Sequence, residues 1–252
     1  MTFIRSFLYL VIFLAWTLAV ALIGLPFLVK RRGALGVMRL WSRGVTFLAR
    51  WIIDVRFEIR GQENLPDGPC IVAAQHQSAF ETYILFMLFE YPVFILKESL
   101  QWIPLVGWYI KRAGLITINR SAGANAMRHI LRGADAAISR GESVLIFPEG
   151  TRTAPGQRQD YKPGIVALYN HCQAPLIPMA LNTGHIWGKT RLTKLPGLIV
   201  FEFLPAIPVG LERAEFLAEL RTRMETASEA LPKPDGFPPA EGGRTNQKQG
   251  VL

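Results

Sequence analysis

Cys70-Ile71-Val72-Ala73-Ala74-Gln75-His76-Gln77-Ser78-Ala79-Phe80-Glu81 is an apolar run, a polar hinge and the opening of a helix. The five residues Cys70 to Ala74 have the length and apolar character of a strand. Ser78 and Glu81 form an S-x-x-E capping box, which predicts Ser78 at the N-cap and Glu81 at the third helical position. Further along, apolar runs of strand length recur at Val93 to Leu96, Leu115 to Ile118, Ser143 to Phe147, Pro175 to Leu181 and Leu198 to Leu204. Helical patterns separate several of them. The clearest is Ala124 to Arg140, where Met127, Ile130, Leu131, Ala134 and Ile138 make one apolar stripe and Gly141 supplies the stop. Such alternation predicts an α/β fold, a mostly parallel mixed sheet flanked by helices.

His76 and Glu81 are five residues apart. On one continuous helix they would point about 140° apart, so they meet only if the histidine lies outside the helix. The capping box provides that arrangement by starting the helix after His76. A carboxylate within reach of one imidazole nitrogen fixes the tautomer and stabilises the imidazolium formed when the other nitrogen accepts a proton. The plainer alternative is that Glu81 only caps the helix and His76 is a loop histidine.

In open α/β sheets ligands bind beyond the carboxyl ends of strands. His76 follows the first expected strand, Lys97 the second, Arg120 the third, Glu149-Gly150-Thr151-Arg152 the fourth and Asn182 the fifth. Five polar clusters at five strand ends suggest one shared site. Gly150 allows close backbone approach, and the Thr151 hydroxyl and Arg152 fork suit a phosphate. Arg120 and Lys97 would add positive charge. Taken alone, the same segment reads as a turn and each cation as a solvated strand end.

The 252 residues include 28 Lys and Arg against 19 Asp and Glu, yet only 19% are charged and half are hydrophobic. That balance suits an anionic membrane surface, where each basic residue gains about 1 kcal/mol. Nucleic acid is disfavoured as a partner, because the basic residues are scattered among apolar stretches and no nucleic-acid-binding motif is visible. No charge occurs from Phe7 to Val29, which is long enough to cross a membrane. Lys30, Arg31 and Arg32 follow it against Arg5 before it, which places the rest of the chain in the cytoplasm. Gly24 and Pro26 make a break near the end of this span plausible, so dipping into the membrane is the alternative to spanning it. A second helix is expected over Ala34 to Asp54, with Arg39, Arg43 and Arg50 on one side; it either lies in the interface or packs on the domain. The expected organisation is therefore residues 1–57 as membrane-anchoring helices, 58–231 as the α/β domain and 232–252 as a disordered tail rich in Pro and Gly. Cys70 and Cys172 have no metal-ligand spacing, and no metal is expected.

His76-x4-Glu81, Gly114 to Arg120, Phe147-Pro148-Glu149-Gly150-Thr151-Arg152 and Ala174-Pro175-Leu176-Ile177-Pro178 together resemble the four ordered blocks of the glycerolipid acyltransferase family, in particular its bacterial lysophosphatidic acid acyltransferases of the PlsC type. The resemblance covers roughly residues 59–204. The family pattern is His-x4-Asp, so Glu81 is a departure by one methylene. By resemblance His76 is the base that deprotonates the glycerol sn-2 hydroxyl and Glu81 its orienter. Lys97, Arg120, Glu149, Gly150, Thr151 and Arg152 would bind the glycerol phosphate. The expected partners are lysophosphatidic acid, membrane lipids and an acyl donor, either acyl-CoA or acyl carrier protein, with no cofactor. The implied location is the cytoplasmic face of the bacterial inner membrane. Two other readings stay open: another lysolipid acceptor, such as a lyso-ornithine lipid, and a membrane lipid-binding module without turnover.

Overall fold

The computed structural model describes residues 2–119, 122–188 and 192–234. Among them, seven strands form one sheet: β1 (Val55–Arg60), β2 (Ile71–Ala74), β3 (Pro92–Lys97), β4 (Ile116–Ile118), β5 (Ser143–Ile146), β6 (Leu176–Leu181) and β7 (Gly197–Phe203). Their order is β1-β7-β6-β2-β5-β3-β4, and every neighbouring pair is parallel except β6 with β7. The sheet is thus mostly parallel and mixed, as the alternating pattern predicts.

Strand periodicity divides the interior into two cores. Val72 and Ala74 of β2, Leu145 of β5 and Ile177, Met179 and Leu181 of β6 pack on one face, under α1 (Thr2–Ile23), α2 (Arg31–Leu48), α3 (Phe80–Leu88) and α4 (Val106–Ala113). Ile71, Ala73, Val144, Ile146 and Leu176 pack on the other, under α5 (Ala124–Ile138) and α6 (Pro163–His171). After the single turn α7 (Thr183–Ile186), the last helix, α8 (Arg213–Ala230), joins this second layer through Phe216, Leu220 and Met224.

β1 has no counterpart in the expected strand set. Its sequence, Val-Arg-Phe-Glu-Ile-Arg, carries a charge at every second position, and as an edge strand it pairs only with β7. The charged residues Glu58 and Arg60 pair with each other at the surface, so the strand lacks the continuous apolar run that marks its buried neighbours. Because β1 begins at Val55, the expected division between residues 57 and 58 falls inside the sheet. Of the expected tail, residues 235–252 lie outside the described residues.

The first two helices form an antiparallel hairpin. α1 stops at Ile23, six residues short of the end of the uncharged span, and a 3-10 turn over Leu25–Val29 reverses the chain. Gly24 is required there, since a Cβ would collide with the Tyr109 hydroxyl and Val37. α2 returns alongside, with Gly44 against Trp16 and the Trp41 indole donating to Thr17 Oγ1 at 2.9 Å. α2 packs on the domain: Leu35, Val45 and Ala49 share the core that contains Phe80 and Phe201. Its start is tied to the sheet by Arg31, which donates to Glu142 and to the Ala113 carbonyl, while Arg140 donates to the same carboxylate at 2.8 Å. Burial alone would raise Glu142, but the two guanidiniums hold its carboxyl below the usual range. α1 itself is long and apolar enough to cross a membrane; Ser6, Tyr9, Val20 and Ala21 face protein, while Phe7, Leu14, Leu18 and Ile23 are exposed.

Candidate active site

His76 sits in the loop between β2 and α3, outside the helix, as the capping argument requires. Its imidazole stacks on Phe147, with ring centroids 4.1 Å apart, and Nδ1 lies 3.3 Å from Glu81 Oε1. Glu81 is fully buried. The same Oε1 accepts the N–H groups of Gln77 and Ser78, both at 2.6 Å. The N-cap is Ala79 rather than the expected Ser78, so Glu81 is the second helical residue; the Ser78 hydroxyl accepts the Phe80 N–H at 3.0 Å from one position earlier. Orienting the histidine and closing the turn are therefore not alternatives: one carboxylate oxygen does both. The longer arm of glutamate reaches back from the helix to three partners.

With a carboxylate facing Nδ1, that nitrogen carries the proton and Nε2 is the acceptor. Nε2 meets no hydrogen-bond partner among the described residues, and the histidine side chain remains 19% exposed. Glu81 Oε2 is buried with no partner among the described residues, so a positive charge forming on the imidazole meets a carboxylate with spare capacity.

The histidine backbone is clamped by the loop after β5. Glu149 Oε2 accepts the His76 N–H at 2.8 Å, and the Thr153 N–H donates to the His76 carbonyl at 2.7 Å. Glu149 was expected at a substrate phosphate. It is buried behind the His76 loop, because β2 and β5 are neighbours and their following loops meet there. Burial, with a contribution from the Glu81 carboxylate, pushes Glu149 up to about 7. The flanking glutamines point the same way. Gln77 donates to the Leu181 carbonyl at 3.2 Å and accepts the Gly184 N–H at 2.9 Å. Gln75 accepts from the Ser228 hydroxyl of α8, which in turn accepts the Leu181 N–H at 3.2 Å. Gln75, Gln77, Glu149 and Ser228 line a cavity of about 340 Å³ that His76 does not enter.

The other expected residues divide. Gly150, at φ 68°, makes the turn, and Thr151 and Arg152 are exposed beside it. The charge of Arg152 is felt at both Tyr83, on α3, and Lys194. Lys97 is exposed at the end of β3, one strand beyond β5, and makes no hydrogen bond or ion pair among the described residues. Arg120 lies outside the described residues. Asn182 leaves the shared site: its amide donates to Leu198 and Pro232 carbonyls and accepts the Val200 N–H, tying β6 to β7.

Lys194 is a cation that no sequence pattern singled out, since it stands in a polar loop without a motif. Its ammonium lies over Trp187, 5.3 Å from the ring centroid, and its N–H donates to Ser6 of α1 at 2.9 Å. Burial first, and Arg152 second, lower its pKa. Lys194 thus ties its loop to the start of the apolar helix through its backbone. Neither cysteine offers a competing nucleophile: both thiols are buried, and burial raises each, Cys172 to about 11.

Residues 56–182 match the acyltransferase family model. The chain belongs to that family. It is 36% identical over 201 residues to a 1-acyl-sn-glycerol-3-phosphate acyltransferase of Pseudomonas aeruginosa, covering 80% of this chain and 77% of that one. An enzyme of the same name from Limnanthes alba is 29% identical, over 77% of this chain and 68% of its own. The fold of this acyltransferase matches the crystal structure of the LPA acyltransferase PlsC from Thermotoga maritima, with a TM-score of 0.74 at 23% identity, covering 91% of this chain and 97% of that one.

Proposed function

We propose that this acyltransferase moves a fatty acyl group from a thioester donor, acyl-CoA or acyl carrier protein, to the sn-2 hydroxyl of 1-acyl-sn-glycerol 3-phosphate, forming phosphatidic acid. The observation that carries the reading is the His76 and Glu81 pair, with Nε2 unengaged, and Arg152 in the loop whose Thr153 N–H holds the His76 carbonyl. The similarity to the Pseudomonas enzyme supports the choice of acceptor.

In this reading Nε2 of His76 takes the proton of the sn-2 hydroxyl, and the oxygen attacks the thioester carbonyl. The tetrahedral intermediate collapses, the C–S bond breaks, and the imidazolium returns the proton to the departing thiolate. Glu81 holds the tautomer and balances the imidazolium. The donor arrives activated, so the residues present complete the step without a cofactor. Arg152 and Lys194 hold the acceptor phosphate, with Arg120, Thr151 and Lys97 as further candidates at the rim. The exposed apolar side of α1 anchors the protein in the bilayer, which we place at the cytoplasmic face of the bacterial inner membrane.

The test offers purified protein 1-acyl-sn-glycerol 3-phosphate and lysolipids lacking a phosphate monoester, each with acyl-CoA and acyl carrier protein donors. Preferred acylation of the phosphate monoester at sn-2 is expected. Preference for an acceptor without phosphate, or transfer that survives in His76→Ala, would overturn the reading.

A further inference from the structure

The three arginines that α2 and its continuation were expected to carry on one side do not stay together. Arg39 turns inward and donates to the Phe89 carbonyl at 3.2 Å and to the Glu90 carbonyl, fastening α2 to the end of α3. Arg43 and Arg50 instead join Arg56 of β1 around an open groove of about 400 Å³, walled by Phe47 and Phe57. The groove exists because the helix ends in a π turn over Ala49–Ile53 and Asp54 adopts a left-handed conformation, at φ 63°. That reversal brings β1 back beside α2 and sets the Asp54 carboxylate between Arg50 and Arg56, 3.3 Å from the latter. Asp54 offsets one of the three positive charges. Arg43 has no carboxylate within ion-pair distance among the described residues, so the groove keeps a positive excess. Around it the surface is apolar: Phe47 and Trp51 are 61% and 74% exposed, and their rings contact each other 6.0 Å apart. α1 packs against this same π turn.

We propose that this groove binds the phosphate headgroup of an anionic bilayer phospholipid, with the acyl chain along Phe47 and Phe57. Three guanidiniums sharing a single carboxylate suit a phosphate diester, and flanking aromatic rings suit the chain region just below it. A soluble anion would satisfy the arginines but leave the rings in water, whereas a bilayer lipid covers both. The site is separate from the acceptor phosphate site at Arg152 and does not depend on which lipid is acylated; it rests on the membrane seat of the α1 and α2 hairpin.

The test measures sedimentation of the full-length protein with vesicles of phosphatidylcholine alone and with phosphatidylglycerol added. Arg43→Gln/Arg56→Gln is compared with Arg128→Gln/Arg132→Gln, a charge-matched pair on exposed α5. The groove pair should lower partitioning onto the phosphatidylglycerol vesicles about thirtyfold, leave phosphatidylcholine binding unchanged and keep turnover in detergent, which also shows that it is folded. The α5 pair should change partitioning less than about threefold. Equal losses in both pairs would reduce the effect to net charge and overturn the proposal. So would inorganic phosphate displacing short-chain phosphatidylglycerol from the wild-type groove at equal concentration, since the rings would then contribute nothing.

Discussion

The loop between β2 and α3 has two sides, and they differ in kind. Toward α1 to α4 it presents the His76 imidazole, stacked on Phe147, with Glu81 beneath it and the exposed apolar helix nearby. Toward α8 it presents Gln75 and Gln77, and the Glu149 carboxylate grips the histidine from its backbone. Strand alternation sets this up: Val72, Ala74 and His76 follow one side, while Ile71, Ala73, Gln75 and Gln77 follow the other. The first side leaves His76 Nε2 and Glu81 Oε2 unengaged, whereas on the second Gln75, Gln77 and Glu149 are all hydrogen-bonded.

That contrast makes the two sides separable by mutation. His76→Ala should have the largest effect, lowering the transfer rate about 10²- to 10⁴-fold with thermal stability and lysolipid binding nearly unchanged. A comparable loss of stability would break the division. Next, Arg152→Ala should raise the apparent KM for the lysophospholipid about tenfold or more with little change in kcat, because it removes a charged hydrogen-bond donor exposed at the mouth. Steady-state kinetics over the acceptor concentration decide this.

Substitutions on the second side should read out in stability. Glu149→Ala leaves the buried His76 N–H without an acceptor and should cost about 1–3 kcal/mol in denaturant unfolding, whereas Glu149→Gln keeps an acceptor and costs less. The pH dependence separates charge from hydrogen bonding. Glu149 is raised from 4.5 to about 7 in the fold, so between those values the folded chain holds a proton that the unfolded chain has lost. Its contribution to stability therefore falls as pH rises through that window, by at most about 1.4 kcal/mol per pH unit, and is level above it. Glu149→Gln should flatten that slope. The smallest effect is expected for Ser228→Ala, about 1 kcal/mol, since the Leu181 N–H and Gln75 lose one shared partner.

Much of this was legible in the sequence because the informative features were local. Continuous apolar runs mark β2, β5 and β6, which are buried on both faces, and S-x-x-E places His76 ahead of its helix. What escaped depended on partners distant in the chain. β1 is an edge strand whose alternating charges hide it until β7 is beside it. Glu149 belongs to the same short motif as Arg152, and nothing in their spacing says that one turns inward to a backbone N–H while the other faces out. Lys194 acquires its place from Ser6, at the far end of the chain, as well as from the nearby Trp187. Asn182 sits at a strand end like His76, but the antiparallel neighbour β7 consumes its amide.

In the proposed mechanism Glu81 Oε1 holds the proton of His76 on Nδ1, so that Nε2 is free to act as base. Nitrogen NMR of the histidine-labelled protein at a pH where His76 is neutral observes this tautomer directly. A protonated Nδ1 and an unprotonated Nε2 are expected for His76 in the wild type, with that preference lost in Glu81→Ala. A proton resident on Nε2 in the wild type would contradict the mechanism.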